Sequence, residues 1–368
     1  SLIASAGEAE IAAYRRRALE AATSDLATII YTSGTTGEPK GVMLTHSNFT
    51  SNVIDGWNRQ DYAQQDLALE FLPLSHVYER MMGYGYLFRG IAIAYVERME
   101  DVAQALLEVR PTVAAAVPRF FEKIYANLME KGHKATGLKR KLFDWSLRVA
   151  AAATPWRAYG KRVSPRVKLE WLLADRLVYT KIRAGLGGRI RAFISGGAPL
   201  ARELGEFFAA IGVDIHQGYG LTETSPIVSN NLPGSNRIGS VGRPIPKVEV
   251  RIAADGEILV RGPCVMQGYY LKPAETQEVL AGDGWLRTGD IGRLDEDGFL
   301  YVTDRKKDLI KTAAGKFVAP QPIENRLKTS PFILNAVVVG DRRKFITALV
   351  VPHFANVQNK AAEMGLTI

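Results

Sequence analysis

Residues 31–41 read Tyr31-Thr32-Ser33-Gly34-Thr35-Thr36-Gly37-Glu38-Pro39-Lys40-Gly41. Four serine or threonine residues, three glycines and one lysine fall within these eleven positions. Glycines let backbone N–H groups approach an anion without a Cβ in the way, and the hydroxyl and ammonium groups add further donors. The apolar segments 26–31 and 42–44 flank the stretch, and we expect the first of them to be a buried strand. The sequence therefore predicts a polyphosphate-binding loop between two apolar segments.

Two other interpretations of this stretch compete with a phosphate-binding loop of this kind, and one of them is excluded. The Walker loop is excluded, because it has four residues between its first glycine and a Gly-Lys-Ser/Thr triplet, whereas Lys40 here lies between Pro39 and Gly41. An ordinary turn stays open, because glycine, serine, threonine and proline dominate turns. The density of these residues directly after a predicted strand favours the phosphate loop.

The composition is typical of a globular protein with more than one domain. The chain has 368 residues, of which 47% are hydrophobic, and no apolar run approaches the roughly 18 residues that a membrane-spanning helix needs. The single cysteine, Cys264, excludes an internal disulfide and fits a reducing compartment. Its apolar neighbours favour a small core residue over a nucleophile. We expect a cytoplasmic protein, and a peripheral position at the inner membrane face stays open.

The net charge of +9 is concentrated in one segment. Residues 131–191 contain 16 lysines and arginines against three acidic residues, with leucine and tryptophan at helical spacing over 138–149. The segment predicts helices with a solvated basic face. The alternative is a surface that meets anionic lipid or acidic small molecules. Nucleic acid is disfavoured, because no nucleic-acid-binding motif accompanies the charge.

The order of strand and helix patterns indicates the domain organisation. Strands and helices alternate up to about residue 230, which favours an α/β fold with a mostly parallel sheet and flanking helices on both faces. Short alternating strands from residue 239 predict a small antiparallel β-unit. A charged bridge then precedes an α+β pattern. We therefore divide the chain into 1–238, 239–303, a hinge at 304–308 and 309–368.

Four further segments combine glycine with polar or charged side chains. They are Ser195-Gly196-Gly197-Ala198-Pro199-Leu200, Gln217-Gly218-Tyr219-Gly220-Leu221-Thr222-Glu223-Thr224, Gly284-Trp285-Leu286-Arg287-Thr288-Gly289-Asp290, and Asp304-Arg305-Lys306-Lys307-Asp308 followed by 311–316. The first two follow predicted strands, where open α/β sheets place their ligands. Glu223 is suited to hold Mg²⁺, because hard cations prefer oxygen ligands, and Asp290, which we expect at a turn, is suited to accept ribose hydroxyls. Taken singly, each segment also fits an ordinary turn or a helix cap.

Taken together and in this order, the five motifs resemble those of the adenylate-forming (AMP-binding) superfamily. This superfamily includes acyl-CoA synthetases, firefly luciferase and the adenylation domains of peptide synthetases. Segments 118–125, 186–191 and 315–324, with the basic insert that precedes Leu186 within segment 131–191, resemble the long-chain fatty acyl-CoA synthetase branch. The resemblance covers nearly the whole chain. It implies the adenylate-forming fold, in which residues 309–368 form part of the C-terminal lid.

The resemblance also implies roles for individual residues. The nucleotide-binding set is Thr32, Ser33, Gly34, Thr35, Thr36, Gly37, Lys40, Gly197, Ala198, Gln217, Gly218, Tyr219, Gly220, Thr222, Asp290 and Arg305. Within it, residues 32–40 would wrap the β- and γ-phosphates, Thr222 would touch the α-phosphate, and Asp290 and Arg305 would hold the ribose. The catalytic set is Lys40, Thr222, Glu223, Lys311 and Lys316, with Lys311 and Lys316 serving the thioester step.

Three further roles follow from the same resemblance. Glu223 and Thr32 would share Mg²⁺, and Lys307 would be the hinge about which the lid turns. His76 and Gly196 would line the acyl pocket; a buried, packed histidine is the alternative for His76.

The implied activity is that of a long-chain fatty acid–CoA ligase that uses ATP, Mg²⁺ and CoA. A carboxylate would attack the α-phosphate of ATP, pyrophosphate would leave, and the CoA thiol would then displace AMP. An aryl or medium-chain acid ligase, a carrier-protein-loading adenylation domain and a non-catalytic nucleotide- or acyl-binding fragment stay open, as does a homodimer.

The family's lid normally continues past the position of Ile368 and carries a late lysine. We therefore expect efficient adenylation to require a longer protein.

Overall fold

Strands and helices alternate along most of the chain, as the sequence predicts. The computed structural model describes residues 7–32, 38–280 and 282–366. Its strands are, in chain order, β1 (Leu26–Thr32), β2 (Lys40–Thr45), β3 (Leu67–Glu70), β4 (Ala92–Tyr95), β5 (Val113–Ala116), β6 (Ala192–Ser195), β7 (Asp214–Gly220), β8 (Ile227–Asn230), β9 (Arg243–Pro244), β10 (Glu249–Ile252), β11 (Glu257–Arg261), β12 (Gly268–Tyr269), β13 (Leu286–Leu294), β14 (Leu300–Arg305), β15 (Ile310–Lys311), β16 (Phe317–Val318), β17 (Ile333–Val339) and β18 (Thr347–Pro352).

The helices connect these strands and cover them. They are α1 (Glu8–Glu20), α2 (His46–Trp57), α3 (Val77–Phe88), α4 (Val102–Val109), α5 (Pro118–Lys134), α6 (Gly137–Arg157), α7 (Pro165–Ala174), α8 (Thr180–Ala184), α9 (Arg202–Ala210), α10 (Pro273–Val279), α11 (Pro320–Lys328) and α12 (Phe354–Glu363). A π-helical turn, Asp175–Tyr179, joins α7 to α8. Within the ranges that the structure describes, every helix is too short or too polar to cross a bilayer.

The largest sheet is the predicted parallel one. It has seven strands in the order β4-β3-β5-β6-β7-β8-β9, and the pairs from β4 to β7 are parallel while β8 and β9 are antiparallel. Alternate residues of β5 enter different cores: Ala114 and Ala116 pack with Phe121 and Phe193, whereas Val113 and Ala115 pack with Trp57. Since side chains alternate across a strand, both faces of the sheet are covered, as predicted.

The strand before the phosphate loop differs from the prediction. β1, β2 and β12 form a three-stranded antiparallel sheet with β2 in the centre. Val42 and Leu44 of β2 are fully buried, but within β1 Ile30 alone is buried, and Leu26 and Tyr31 are exposed. The expectation of a buried strand at 26–31 is therefore wrong, because β1 is an edge strand with a partner on one side only.

The predicted antiparallel β-unit is present as the sheet β10-β11-β13-β14. It is not self-contained, because β9 pairs with β8 and β12 pairs with β2. Segment 239–303 thereby adds a strand to each of the other two large sheets. Cys264 lies in the core between these units and is buried, as predicted, and burial raises the pKa of its thiol to about 12.

The C-terminal part follows a short 3₁₀ turn, Lys306–Asp308. It contains the hairpins β15-β16 and β17-β18, with α11 packed on β17. Arg326 of α11 forms an ion pair with Glu203 of α9, and the backbone N–H of Gln321 donates to Asp304 Oδ2 at 3.1 Å. The boundaries that we draw at 238, 303 and 308 remain predictions.

Segment 131–191 is mostly helical, as predicted, and contains α6, α7 and α8. Val149 of α6 is buried in the main core, but Leu138 is 81% exposed. The apolar stripe predicted over 138–149 therefore does not reach the core at its first residue, which lies in the first turn of α6.

Candidate functional site

The ends of the phosphate loop meet as the last rung of a hairpin. Thr32 of β1 pairs with Lys40 of β2, and the Thr32 hydroxyl donates to the Lys40 carbonyl at 3.4 Å. The loop residues Ser33, Gly34, Thr35, Thr36 and Gly37 lie outside the described residues. The hairpin therefore places both flanking members of the predicted phosphate site next to each other.

Lys40 and Glu223 are brought together around Tyr269. The Lys40 ammonium lies 5.1 Å from the centre of the Tyr269 ring, within cation–π range. The Tyr269 hydroxyl donates to Glu223 Oε1 at 2.8 Å. Tyr269 reaches this position because β12 pairs with β2, so that Tyr269 lies opposite Val42. Sequence reasoning missed Tyr269, since this pairing joins segments more than 220 positions apart and no motif marks the residue.

The sequence predicts the Gln217–Gly220 motif after a strand. In the structure the motif lies within β7. β7 continues because its second half pairs with β8 in antiparallel register. A Cβ on Gly220 would lie 1.7 Å from the Pro226 carbonyl oxygen, so only glycine fits there. This close approach lets the chain turn directly into the next element.

That element is a 3₁₀ turn, Thr222–Thr224, which presents Thr222 and Glu223. The Thr224 hydroxyl accepts a hydrogen bond from Leu221 N–H at 3.0 Å and donates to the Pro226 carbonyl at 2.6 Å. The turn is therefore held by a buried side chain, while Thr222 and Glu223 are only half-buried.

Asp290 is the centre of a second cluster. Tyr219 Oη donates to Asp290 Oδ2 at 2.7 Å, and Arg305 Nε lies 2.9 Å from Asp290 Oδ1. The expectation of Asp290 at a turn is wrong: it lies inside β13, opposite Arg305 of β14. Burial raises the pKa of the Asp290 carboxyl, and its bonds to Tyr219 and Arg305 oppose that rise. A carboxylate offers about four acceptor positions, so these two partners leave about two for a ligand.

The Gly-Gly motif lies at the carboxyl end of β6. A Cβ on Gly196 would lie 2.9 Å from the Tyr78 ring, and the Tyr78 hydroxyl donates to the Ile194 carbonyl at 2.9 Å. Gly197 follows with φ +79° and, like Ala198, is exposed. Gln217 lies opposite Ser195 on the neighbouring strand. The residues predicted for adenine therefore converge at one edge of the sheet.

Four predicted residues are not brought into these clusters by any contact. Lys307 is exposed in the 3₁₀ turn Lys306–Asp308, and Lys311 and Lys316 are exposed in the β15-β16 hairpin, where the Lys311 ammonium lies 5.5 Å from the Phe317 ring. His76 precedes α3 and is exposed, so the alternative of a buried, packed histidine is wrong.

The site fits a Mg²⁺ ion that is held mainly by substrate. Over residues 7–32, 38–280 and 282–366, no three histidine, cysteine, aspartate or glutamate side chains cluster as metal ligands. Mg²⁺ typically binds through one or two carboxylates together with substrate phosphates. Glu223 Oε1 is occupied by Tyr269, and Oε2 has no protein partner in the described part of the chain. One carboxylate oxygen beside Lys40 is the donor set that such an ion needs.

Two buried carboxyl groups beside the site were missed from the sequence. Glu70 ends β3 and Glu79 lies in the first turn of α3, next to Tyr78. Both Glu70 oxygens and Glu79 Oε2 are buried without a hydrogen-bond partner among the described residues. Burial raises the pKa of Glu70 to about 7, and burial together with the Glu70 charge raises the pKa of Glu79 to about 8.

Glu79→Gln is expected to stabilise the protein at alkaline pH. A carboxyl with a raised pKa holds a proton in the folded protein that the unfolded chain releases above its ordinary value of 4.5. The stabilisation from this proton is complete below pH 4.5 and is lost as the pH rises through about 8. Glutamine is neutral at every pH, so the variant should gain on the order of 3 kcal/mol over the wild type above that range.

The measurement is thermal unfolding of wild type and variant across this pH window. Glu278→Gln, on an exposed position of α10, is the matched control and should leave the pH profile unchanged. Equal profiles for wild type and Glu79→Gln would show that Glu79 is ionised in the folded protein.

Solved structures with the same architecture define the class of protein. MatB from Rhodopseudomonas palustris, bound to ATP, matches with a TM-score of 0.68 and 27% identity, over 93% of this chain and 62% of that chain. O-succinylbenzoate coenzyme A synthetase (MenE) from Bacillus subtilis, in complex with ATP and magnesium ion, matches with a TM-score of 0.66 and 27% identity, over 90% and 61%. The fold is that of the adenylate-forming enzymes.

The sequence comparisons give the family. The AMP-binding enzyme family matches residues 3–270, and the AMP-binding enzyme C-terminal domain matches residues 307–366. The chain belongs to the AMP-binding enzymes, which confirms the resemblance of its motifs.

Curated relatives come from bacteria, plants and a vertebrate. The long-chain-fatty-acid–CoA ligase FadD15 of Mycobacterium tuberculosis is 42% identical over 332 residues, which are 89% of this chain and 54% of that protein. The peroxisomal long chain acyl-CoA synthetase 6 of Arabidopsis thaliana is 39% identical over 337 residues, 86% of this chain and 46% of that protein. The chain thus spans about half the length of these relatives.

Proposed function

We propose that the protein is a long-chain fatty acid–CoA ligase that forms an acyl adenylate from a fatty acid and ATP. One observation carries the proposal: the short segment from Tyr219 to Glu223 joins two chemically different clusters. Tyr219 bonds to Asp290 at one end, and Glu223 bonds to Tyr269 beside Lys40 at the other. The first cluster suits a ribose, and the second suits a polyphosphate.

Each cluster has a defined task in this reaction. The carboxylate of Asp290 accepts hydrogen bonds from the ribose hydroxyls, while the Arg305 guanidinium holds that carboxylate in place. Lys40 lies beside the phosphates and offsets negative charge as the carboxylate substrate approaches. Bound Mg²⁺ would supply further charge neutralisation at the phosphates, held by Glu223 and Thr32.

The bonds that change are few. A fatty acid carboxylate oxygen forms a bond to the α-phosphorus, and the bond from that phosphorus to the bridging oxygen of pyrophosphate breaks. The CoA thiolate then forms a thioester, and AMP leaves with the carboxylate oxygen. No enzyme nucleophile takes part, in keeping with the one buried cysteine.

The preference for a long aliphatic chain rests on similarity. Relatives at about 40% identity are named as ligases of long-chain fatty acids. The solved structure of MenE bears the name of an aromatic acid, at lower identity. The fatty acid is therefore the proposed substrate, and an aryl acid is the competing one.

ATP–pyrophosphate exchange with palmitate, acetate and an aromatic acid in parallel tests the proposal. Exchange that depends on palmitate supports it. Exchange that is fastest with the aromatic acid would replace it with an aryl acid ligase. Nucleotide binding without exchange for any acid would favour a non-catalytic fragment.

Lys307→Pro is expected to separate the two half-reactions. Lys307 lies in the exposed 3₁₀ turn between β14 and β15, where a rotation of the lid would need backbone freedom. Proline fixes φ near the helical value, so adenylate formation should stay within about threefold while thioester formation falls about a hundredfold. Single-turnover assays of both steps measure this, with Lys307→Ala as the control for the lost charge. Equal losses in both steps would exclude a hinge at this position.

A further inference from the structure

The helical segment 131–191 carries an exposed apolar surface that lies outside the candidate nucleotide site. The leucine face consists of Leu169, Leu172, Leu173 and Leu177, which are between 44% and 60% exposed. The opposite side of the same helices is anchored, because Trp171, Ala174 and Tyr179 are buried in the main core. Leu169, Leu172 and Leu173 therefore point away from the protein because of how α7 packs, and Leu177 continues the exposed surface in the π-helical turn.

The leucine spacing follows one side of a helix. Leu172 and Leu173 follow Leu169 by three and four residues, which places the three on one side of α7, and Leu177 follows Leu173 by four residues in the π-helical turn. In an ordinary surface helix the core-facing side is apolar and the outer side polar. Here both sides are apolar over this length, and exposed apolar surface of this kind marks an interaction site.

Basic side chains flank the leucine face. Arg176 and Lys181 are exposed and have no acidic partner among the described residues, whereas the Lys168 ammonium lies over the Trp156 ring, 5.5 Å from its centre. The two acidic residues of the same helices are already neutralised: Glu170 pairs with Arg166 at 2.8 Å, and Asp175 pairs with Arg183 at 2.6 Å. The surface thus combines apolar side chains with unopposed positive charge.

From this combination, and resting on the proposed function, we propose that the leucine face docks on an anionic lipid bilayer. Leucines of an amphipathic helix insert at the boundary of headgroups and acyl chains, while lysine and arginine contact anionic headgroups. A ligase of long-chain fatty acids would meet its poorly soluble substrate there. A symmetric dimer fits less well, because a two-fold interface would place the same basic residues against one another.

Vesicle flotation tests the surface directly. The chain is expected to float with phosphatidylcholine vesicles that contain about 30% phosphatidylglycerol, and to float poorly with phosphatidylcholine alone. Raising the salt from about 0.1 M to about 1 M should release most of it, since screening weakens the attraction to headgroups. The double variant L172S/L173S should bind about tenfold more weakly.

Two controls make the assignment specific. L334S/L349S changes two exposed leucines of the lid strands and should float like the wild type. R176E/K181E should lose binding to anionic vesicles while keeping the leucines.

The outcomes separate this proposal from the ligase. Unchanged flotation of L172S/L173S, or absence of flotation for the wild type, would overturn the proposal that the leucine face docks on a bilayer. The proposal would also be overturned if the wild type is a dimer in solution and the L172S/L173S variant is a monomer. ATP–pyrophosphate exchange of L172S/L173S in detergent should equal the wild-type rate. Absent exchange in every variant would count against the ligase and leave the flotation result standing.

Discussion

Glu223→Gln is expected to lower the rate of adenylate formation by about two to three orders of magnitude. The substitution keeps the shape of the side chain and its hydrogen bond with Tyr269, which Glu223 Oε1 receives at 2.8 Å. It removes the negative charge that Tyr269 holds near Lys40 for a cation on the phosphates. The reaction would then meet uncompensated repulsion between two anions. ATP–pyrophosphate exchange at saturating palmitate measures the loss.

Two matched variants sharpen this prediction. Glu278→Gln, exposed on α10, should retain the wild-type rate. Tyr269→Phe removes only the donor that orients Glu223 and should cost about tenfold, because a hydrogen bond to a charged group contributes about 1.5–3 kcal/mol. The residual rate of Glu223→Gln should depend less on the Mg²⁺ concentration than the wild-type rate does. A wild-type rate for Glu223→Gln would remove this residue from the phosphate site.

Asp290→Ala is expected to lower kcat/KM for ATP by about a hundredfold, mainly through KM. The loss follows from the two acceptor positions that Tyr219 and Arg305 leave on the carboxylate, each of which would bind one ribose hydroxyl. Two hydrogen bonds to a charged group account for a loss of this size at about 1.5 kcal/mol each, the lower end of the range for such bonds. Steady-state kinetics with ATP as the varied substrate measures it.

The stability of this variant must be measured beside its kinetics. Asp290→Ala leaves the Tyr219 hydroxyl without its acceptor and Arg305 without its ion pair. Asp283→Asn, on an exposed turn near the start of β13, is the control and should match the wild type. Loss of activity with deoxyadenosine triphosphate should be smaller in Asp290→Ala than in the wild type, because the variant no longer uses the missing hydroxyl. An unchanged KM for ATP would show that Asp290 has a structural role alone.

The motifs were readable from the sequence because each combines local turn chemistry with a fixed order along the chain. Gly220 is an example, since a Cβ there would collide with the Pro226 carbonyl and the glycine is therefore required. The strand and helix alternation likewise predicted the parallel sheet. Both features depend on residues that are close in sequence.

The parts that sequence reasoning missed depend on pairing between distant segments. Tyr269 meets Glu223 only because β12 joins the sheet of β1 and β2. Asp290 was expected at a turn, and it lies within β13 because β11 and β14 pair on either side of that strand. β1 was expected to be buried, but its place at a sheet edge follows from topology and not from its composition.

The carboxyl pair Glu70 and Glu79 illustrates a different limit. Acidic residues in a sequence are normally read as surface residues, since burial of a charge is costly. Here the fold buries both, and their pKa values rise as a result. The environment is visible only once the chain is folded, for example where a Cβ on Gly83 would lie 2.7 Å from a carboxylate oxygen of Glu70.

Titration calorimetry with a stable analogue of palmitoyl adenylate is the most direct test of an acyl-adenylate site, because binding does not require turnover. The wild-type chain should bind the palmitoyl analogue at a one-to-one ratio and more tightly than AMP or an acetyl analogue. Asp290→Ala should bind it about a hundredfold more weakly. Absence of binding, or equal affinity of wild type and Asp290→Ala, would contradict the assignment of these residues to an acyl-adenylate site.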